Sequence, residues 1–283
     1  MTELTNRALL VTLNISQWTA RKLDRKESAA VNAKHGTTVD AARVNKSLLP
    51  LNTELDRVHK MTSAIRNEYY QLSLPWMEGM QIIKSEGYLT FAQRMADRKR
   101  EWTQAVDRFL RSYETSVDDA KHLLGTLFNE SDYPAVDTIR SKFRMDVGFY
   151  PMPAAKDWRV DMADDQMDSL RKRLEMDVTE KVSQAMQAAW QRVHDVVKRI
   201  HTQTSNPEGR IYDSLVGSAK DLCAILPSLN ISDDPKLEEI RQELEGYFAT
   251  TDAEDIRKHP EVRQEVSDQM ADILAKMGGL YGA

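Results

Sequence analysis

Residues Arg140–Ile200 read RSKFRMDVGFYPMPAAKDWRVDMADDQMDSLRKRLEMDVTEKVSQAMQAAWQRVHDVVKRI, and the change of period inside this stretch decides the fold. Phe143, Met145, Val147 and Phe149 alternate with Arg144, Asp146, Gly148 and Tyr150, which sets the apolar residues on one face of a strand. Trp158, Val160 and Met162 repeat the alternation against Arg159 and Asp161. Pro151 to Asp157 is too long for a two-residue turn and its prolines disfavour pairing, so a hairpin over 143–162 with a wide loop is expected. A lone two-stranded ribbon is marginal in water. Leu9, Val11, Leu13 and Ile15 alternate with Leu10, Thr12 and Asn14 near the N-terminus and supply a third strand, giving a small antiparallel sheet.

Beyond Met162 the period becomes helical. Met167, Leu170, Leu174, Val178, Val182, Met186, Ala189, Val193, Val197 and Ile200 recur at about 3.67 residues per step, the repeat of a nearly straight helix. Such a rod would be roughly 60 Å long, and part of its stripe is expected to pack on another copy of the chain. Asp164, Asp165 and Asp168 fall where its first turn begins and offset the dipole, while Asn206-Pro207 and Gly209 end it.

Punctuation divides the remainder. A helix opens at Pro50 with Leu51, Leu55, Val58, Met61 and Ile65 inward, Leu74 to Gly87 reads as a loop, and helices follow over about 90–113 and 117–128. Three shorter helices are expected near 211–226, 235–248 and 260–277, separated by Pro227, by Asp233-Asp234-Pro235 and by residues 250–260. The fold class is therefore α+β, mostly α-helical, with a core domain over 1–206 and a helical region over 207–283.

At 283 residues, 41% hydrophobic and 29% charged, the chain can bury a good core. No apolar run approaches the roughly eighteen residues of a membrane span, and residues 1–20 lack the apolar core of a signal peptide. One cysteine, Cys223, excludes an internal disulfide or a thiol metal site and points to a reducing cytoplasm. The net charge of -5 conceals a division: residues 1–112 carry 18 Lys and Arg against 12 Asp and Glu, and the rest 21 against 32. A basic region can meet nucleic acid, and regions of opposite sign can meet each other head to tail. Over long helices such a division is also ordinary surface variation.

Residues 16–34 sharpen the question. Read as a helix with Trp18 at zero, Arg21, Lys22, Arg25 and Lys26 fall at about 300, 40, 340 and 80 degrees, an arc of cations around an aromatic ring. That arrangement suits single-stranded nucleic acid, the cations tracking phosphates and the ring stacking on a base. Lys34, Arg43 and Lys46 extend the patch. The competing reading buries Trp18 against the sheet with the basic stems around it.

No catalytic motif stands beside it. The six histidines are scattered; His194 and His201 share a helix face without a third ligand. Asp161, Asp164, Asp165 and Asp168 could hold a hard cation, although helix capping accounts for them better. No phosphate loop, nucleophile elbow, dinucleotide fingerprint or Cys-x-x-Cys occurs. A non-enzymatic protein without cofactor or metal is expected.

VTLNISQWTARKLDRK over Val11–Lys26, HGTT from His35, ARVNKSLLP ending at Pro50, Leu74-Pro75-Trp76 with Gly79, and FRMDVGFYPMP from Phe143 closing on DWRVDM at Met162 resemble a family of uncharacterised tailed-bacteriophage proteins, a domain of unknown function. The resemblance implies a non-structural phage protein, often encoded near a MoxR-type AAA+ ATPase, and carries over no catalytic residue. Two readings result: a self-associating protein that engages single-stranded DNA through Trp18, Arg21, Lys22, Arg25, Lys26, Lys34, Arg43 and Lys46, or an adaptor of a AAA+ ATPase or inhibitor of a host system without nucleic-acid contact. A virion structural role comes third.

Overall fold

The computed structural model describes residues 7–153 and 164–281. It is an α+β protein dominated by helices, and the chain divides into two compact units. Residues 1–12, 70–91 and 148–283 form the helical unit; residues 13–69 and 92–147 form the ribbon unit. The division does not fall at residue 206, because the C-terminal helices share a core with the long helix before them.

The sheet is antiparallel, in the order β4-β5-β1-β6, from β1 (Ala8–Ser16), β4 (Leu74–Met77), β5 (Met80–Lys84) and β6 (Arg144–Pro151). β1 pairs with β5 in the register Ala8↔Lys84, Leu10↔Ile82. Strands β4 and β5 replace the loop expected after Leu74. Buried Leu74 and Trp76 alternate with exposed Pro75 and Met77, and Gly79, at φ 72, closes the turn between paired Met77 and Met80. Proline is tolerated here because β4 is an edge strand. The expected second hairpin strand, Trp158–Met162, lies outside the described residues.

In the helical unit the long helix α5 (Asp164–Ser205) presents Val178, Val182, Ala185, Met186, Ala189, Val193, Val197 and Ile200 as a buried stripe. Its cover comes from the same chain: β4, α6 (Asp213–Leu229) and α9 (Pro260–Tyr281) pack along it, with α7 (Pro235–Thr250) and α8 (Ala253–Lys258) completing the core. From Val178 onward the stripe needs no second copy, which removes the physical reason for expecting self-association there. Leu170 and Leu174 are only half-buried. Pro227 sits within the last turn of α6 instead of ending it. Asp252 and Asp255 form a capping box that starts α8 in the stretch read as a spacer.

Helix ends in this unit are held by arginines. Arg263 donates to the carbonyl oxygens of Gln203, Thr204, Asn206 and Gly209, satisfying acceptors that the end of α5 leaves open. Arg192 donates to those of Tyr70, Gln71 and Ser73 at 2.7–2.8 Å.

The ribbon unit holds β2 (Arg21–Asp24), α1 (Arg25–Lys34), β3 (Val44–Ser47), most of α2 (Thr53–Gln71) and of α3 (Tyr88–Leu124), and α4 (Val136–Arg140). Leu55, Val58 and Ile65 of α2 meet Trp102, Ala105, Val106 and Phe109 of α3, with Met145 of β6 in the same core. Leu51, expected inward, is 84% exposed. Helix α3 is continuous where a break near residue 115 was expected: no Gly or Pro interrupts it, and Ser112 and Ser116 return their hydroxyls to the carbonyls of Phe109 and Ser112.

Candidate nucleic-acid interface

The eight residues singled out by sequence all lie in the ribbon unit, but not on one helix. The chain leaves β1, turns through Ala20 at φ 51, forms β2, and only then enters α1. Asp24 decides the start: its carboxylate accepts from Glu27 N at 3.1 Å as the N-cap. The arc around Trp18 therefore does not form. Arg21 and Lys22 stand on β2, Arg25 and Lys26 in the first turn of α1, Lys34 in its last, Arg43 before β3 and Lys46 on β3.

Trp18 is half-buried and joins the core of this unit. Its ring centroid is 6.2 Å from that of Phe109 and 5.9 Å from that of Tyr113, and its carbonyl oxygen lies 3.0 Å from His59 Nε2. The ring packs with core aromatics, as the competing reading expects, but it is half-buried and its ring neighbours are Phe109 and Tyr113 of α3, where that reading placed it against the sheet.

Strands β2 and β3 make a two-stranded antiparallel ribbon in the register Arg21↔Ser47, Lys22↔Lys46, Leu23↔Asn45, Asp24↔Val44. Side chains of directly opposed residues share a face, so Lys22 and Lys46 reach one carboxylate, that of Asp132. Lys46 Nζ is 2.7 Å from Asp132, donates to Leu127 O at 2.8 Å and lies 3.8 Å from Asp24; Lys22 pairs with Asp132 as well. Burial alone would raise the carboxyl pKa of Asp132, yet the hydrogen bonds and charges of the two lysines outweigh it and hold that pKa below the usual range. Lys22 and Lys46 are spent on a structural lock.

The alternate face is open. Arg21, Leu23, Asn45 and Ser47 are exposed, as are Arg25, Lys26, Lys34 and Arg43. None of these five cations has an ion pair or side-chain hydrogen bond among the described residues. Buried Ser28 and Asn32 hold α1 against the returning chain. Ser28 Oγ accepts from Val44 N at 2.9 Å; Asn32 Oδ1 accepts from Ala42 N at 2.9 Å and its Nδ2 donates to Ala42 O at 3.1 Å. Their spacing of four residues was visible in the sequence as a polar pair on an alanine-rich helix. Asp132 could not be anticipated, since 110 residues separate it from Lys22.

Among the described residues no group of three or more His, Cys, Asp and Glu is placed to hold a metal ion, and no helix is long and apolar enough to cross a membrane. Asp168 pairs with Arg171 at 3.3 Å. Asp161 lies outside the described residues, as do the side chains of Asp164 and Asp165.

The geometry defines a mixed helical protein carrying a basic strand–helix–strand module. Residues 5–218 match the family described as "Protein of unknown function (DUF3150)", and the chain belongs to that family. No curated protein and no solved structure matches the chain.

Proposed function

We propose that the module over residues 17–47 binds the phosphate backbone of nucleic acid, and that the protein is a non-enzymatic phage protein acting in the cytoplasm of an infected bacterium. One observation carries this reading. Of the seven cations in the module, two are occupied by Asp132, and Arg21, Arg25, Lys26, Lys34 and Arg43 are exposed without a carboxylate partner among the described residues. The ribbon unit as a whole has 20 Lys and Arg against 16 Asp and Glu, and the helical unit 19 against 28, so the excess of cations lies on the side of the module. With Trp18 packed among Phe109 and Tyr113, recognition rests on charge and not on base stacking. Sequence-independent binding to single-stranded DNA, with comparable binding to duplex, is the expectation.

The test is binding of a fluorescent oligonucleotide across a salt series. Five phosphate contacts give a slope of log affinity against log salt of about -3.5 on a single strand. Replacing Arg21, Arg25, Lys26, Lys34 and Arg43 by Gln should abolish binding with the fold retained. No binding by the wild type at about 50 mM salt refutes the reading. A second reading, an adaptor of a AAA+ ATPase or inhibitor of a host system, draws on the resemblance to phage proteins encoded beside such ATPases. It is favoured by the acidic balance of the helical unit and by Met176, 66% exposed on α5; that same exposed start of α5 is where self-association remains a proposal.

A further inference from the structure

We propose that a cleft wholly within the ribbon unit is a docking site for a protein segment that presents a cation between apolar side chains. The cleft has a volume of about 500 Å³ and lies between the turn over residues 49–54 and the last three turns of α3. Its rims are apolar. Leu51 projects from one side, 84% exposed, and Leu123 from the other, 56% exposed.

Leu51 is doubly unfavourable where it stands. Its φ of 62 is the left-handed conformation that crowds a Cβ and suits Gly or Asn, and its side chain buries almost nothing. A turn that served the fold alone would be better made by glycine. Backbone strain kept at an exposed apolar residue points to a contact made by another molecule. The turn is also preformed: Asn52 Oδ1 accepts from Leu55 N at 2.8 Å and Asn52 Nδ2 donates to Ser116 Oγ at 2.6 Å.

Between the rims the surface is polar and acidic. The apolar stripe of α3 runs on through Val117, Ala120 and Leu124 into the core, while Ser112, Thr115, Ser116, Asp119 and His122 of the same helix line the cleft. Among the described residues no Lys or Arg lines it. Glu54 lies 3.7 Å from Arg108 and 4.0 Å from Arg57, yet its buried Oε2 accepts no hydrogen bond. Asp119 has no ionic or hydrogen-bond partner among the described residues, so its charge is the open one. An Arg or Lys seated at Asp119, with flanking aliphatic side chains on Leu51 and Leu123, satisfies both the charge and the apolar rims. None of the five cations assigned to nucleic acid takes part, so the two sites fail or succeed separately.

The experiment follows the Leu51 and Leu123 methyl resonances of the full chain during titration with the peptide acetyl-LAARAAL-amide, and with counterparts in which Arg is replaced by Glu or both Leu by Ser. The Arg peptide should shift both methyls saturably in the millimolar range and the counterparts should not. Leu51→Gly should weaken binding about tenfold or more while the melting temperature stays level or rises, because glycine accepts this φ without strain. Asp119→Asn should weaken it without altering the melt. The proposal is overturned by an absence of methyl shifts, by equal binding of the Glu peptide, or by a lowered melt in Leu51→Gly, which would make Leu51 structural. Methyl shifts that depend on protein concentration alone would also overturn it, because the occupant would then be a second copy.

Discussion

Replacing Asp132 by Asn tests the lock and the binding face together. The Asp132 side chain is 3% exposed and holds Lys46, itself 11% exposed, and Lys22, which is half exposed. Removing one partner of a fully buried pair costs about 3–5 kcal/mol. Lys22 can turn to water, and Asn still accepts one hydrogen bond, so roughly 2–3 kcal/mol is expected, a fall of about 5–10 °C in melting temperature. The pH dependence has a definite sign. The Asp132 pKa is held below the usual carboxylate range by the two lysines against the opposing effect of burial. Its contribution is therefore complete above the unfolded pKa near 4 and is lost as pH falls through the lower folded value. Melts of wild type and Asp132→Asn should accordingly differ at neutral pH and converge on acidification. Freed from its partner, Lys22 joins the open cations, and the salt dependence of single-strand binding should steepen by about 0.7. Identical melts at neutral pH, or a difference that persists undiminished at low pH, would refute the reasoning.

Trp18→Ala should destabilise by about 2 kcal/mol through lost packing on Phe109 and Tyr113, with nucleic-acid affinity per folded molecule unchanged. An undisturbed melt accompanied by roughly 1–3 kcal/mol of lost affinity would instead restore base stacking. At the end of α5, a Cβ on Gly209 would stand 3.0 Å from the carbonyl oxygen of Asn206 and closer still to that of Gln203, so Gly209→Ala should lower the denaturation midpoint. Arg263→Ala, which orphans the acceptors of four carbonyls, should lower it by about 2–3 kcal/mol. A wild-type midpoint in either variant would show that the helix end tolerates the loss.

The long helix was legible because its stripe repeats over more than nine turns and ends at Asn206-Pro207, a signal that local accidents cannot erase. What covers that stripe was not legible. A periodic apolar face states that burial is required and is silent on whether the partner is the same chain. The four-stranded sheet was half visible. Leu74, Trp76, Ile82 and Ile83 are buried, but Pro75 makes an edge strand look like a loop, and Gly79 alone is a weak turn signal.

Residues 25–34 are helical as expected, but residues 21–24 depart from the helical reading for a reason that reaches the function of the module. Arg21-Lys22-Leu23-Asp24 has no strong helix breaker, so a wheel drawn through it looks plausible; a strand is imposed instead by pairing with residues 44–47, a contact that local propensity does not encode. Once β2 is a strand, neighbouring cations point to opposite faces. Lys22 turns toward Asp132 and Arg21 away from it, and the supposed arc of equivalent charges becomes one locked set and one open set. The wheel counted charges and could not sort them. It is the sorting that makes the binding proposal specific: Lys22→Gln should act on stability and Arg21→Gln on affinity, although the two residues are adjacent in sequence and alike in charge.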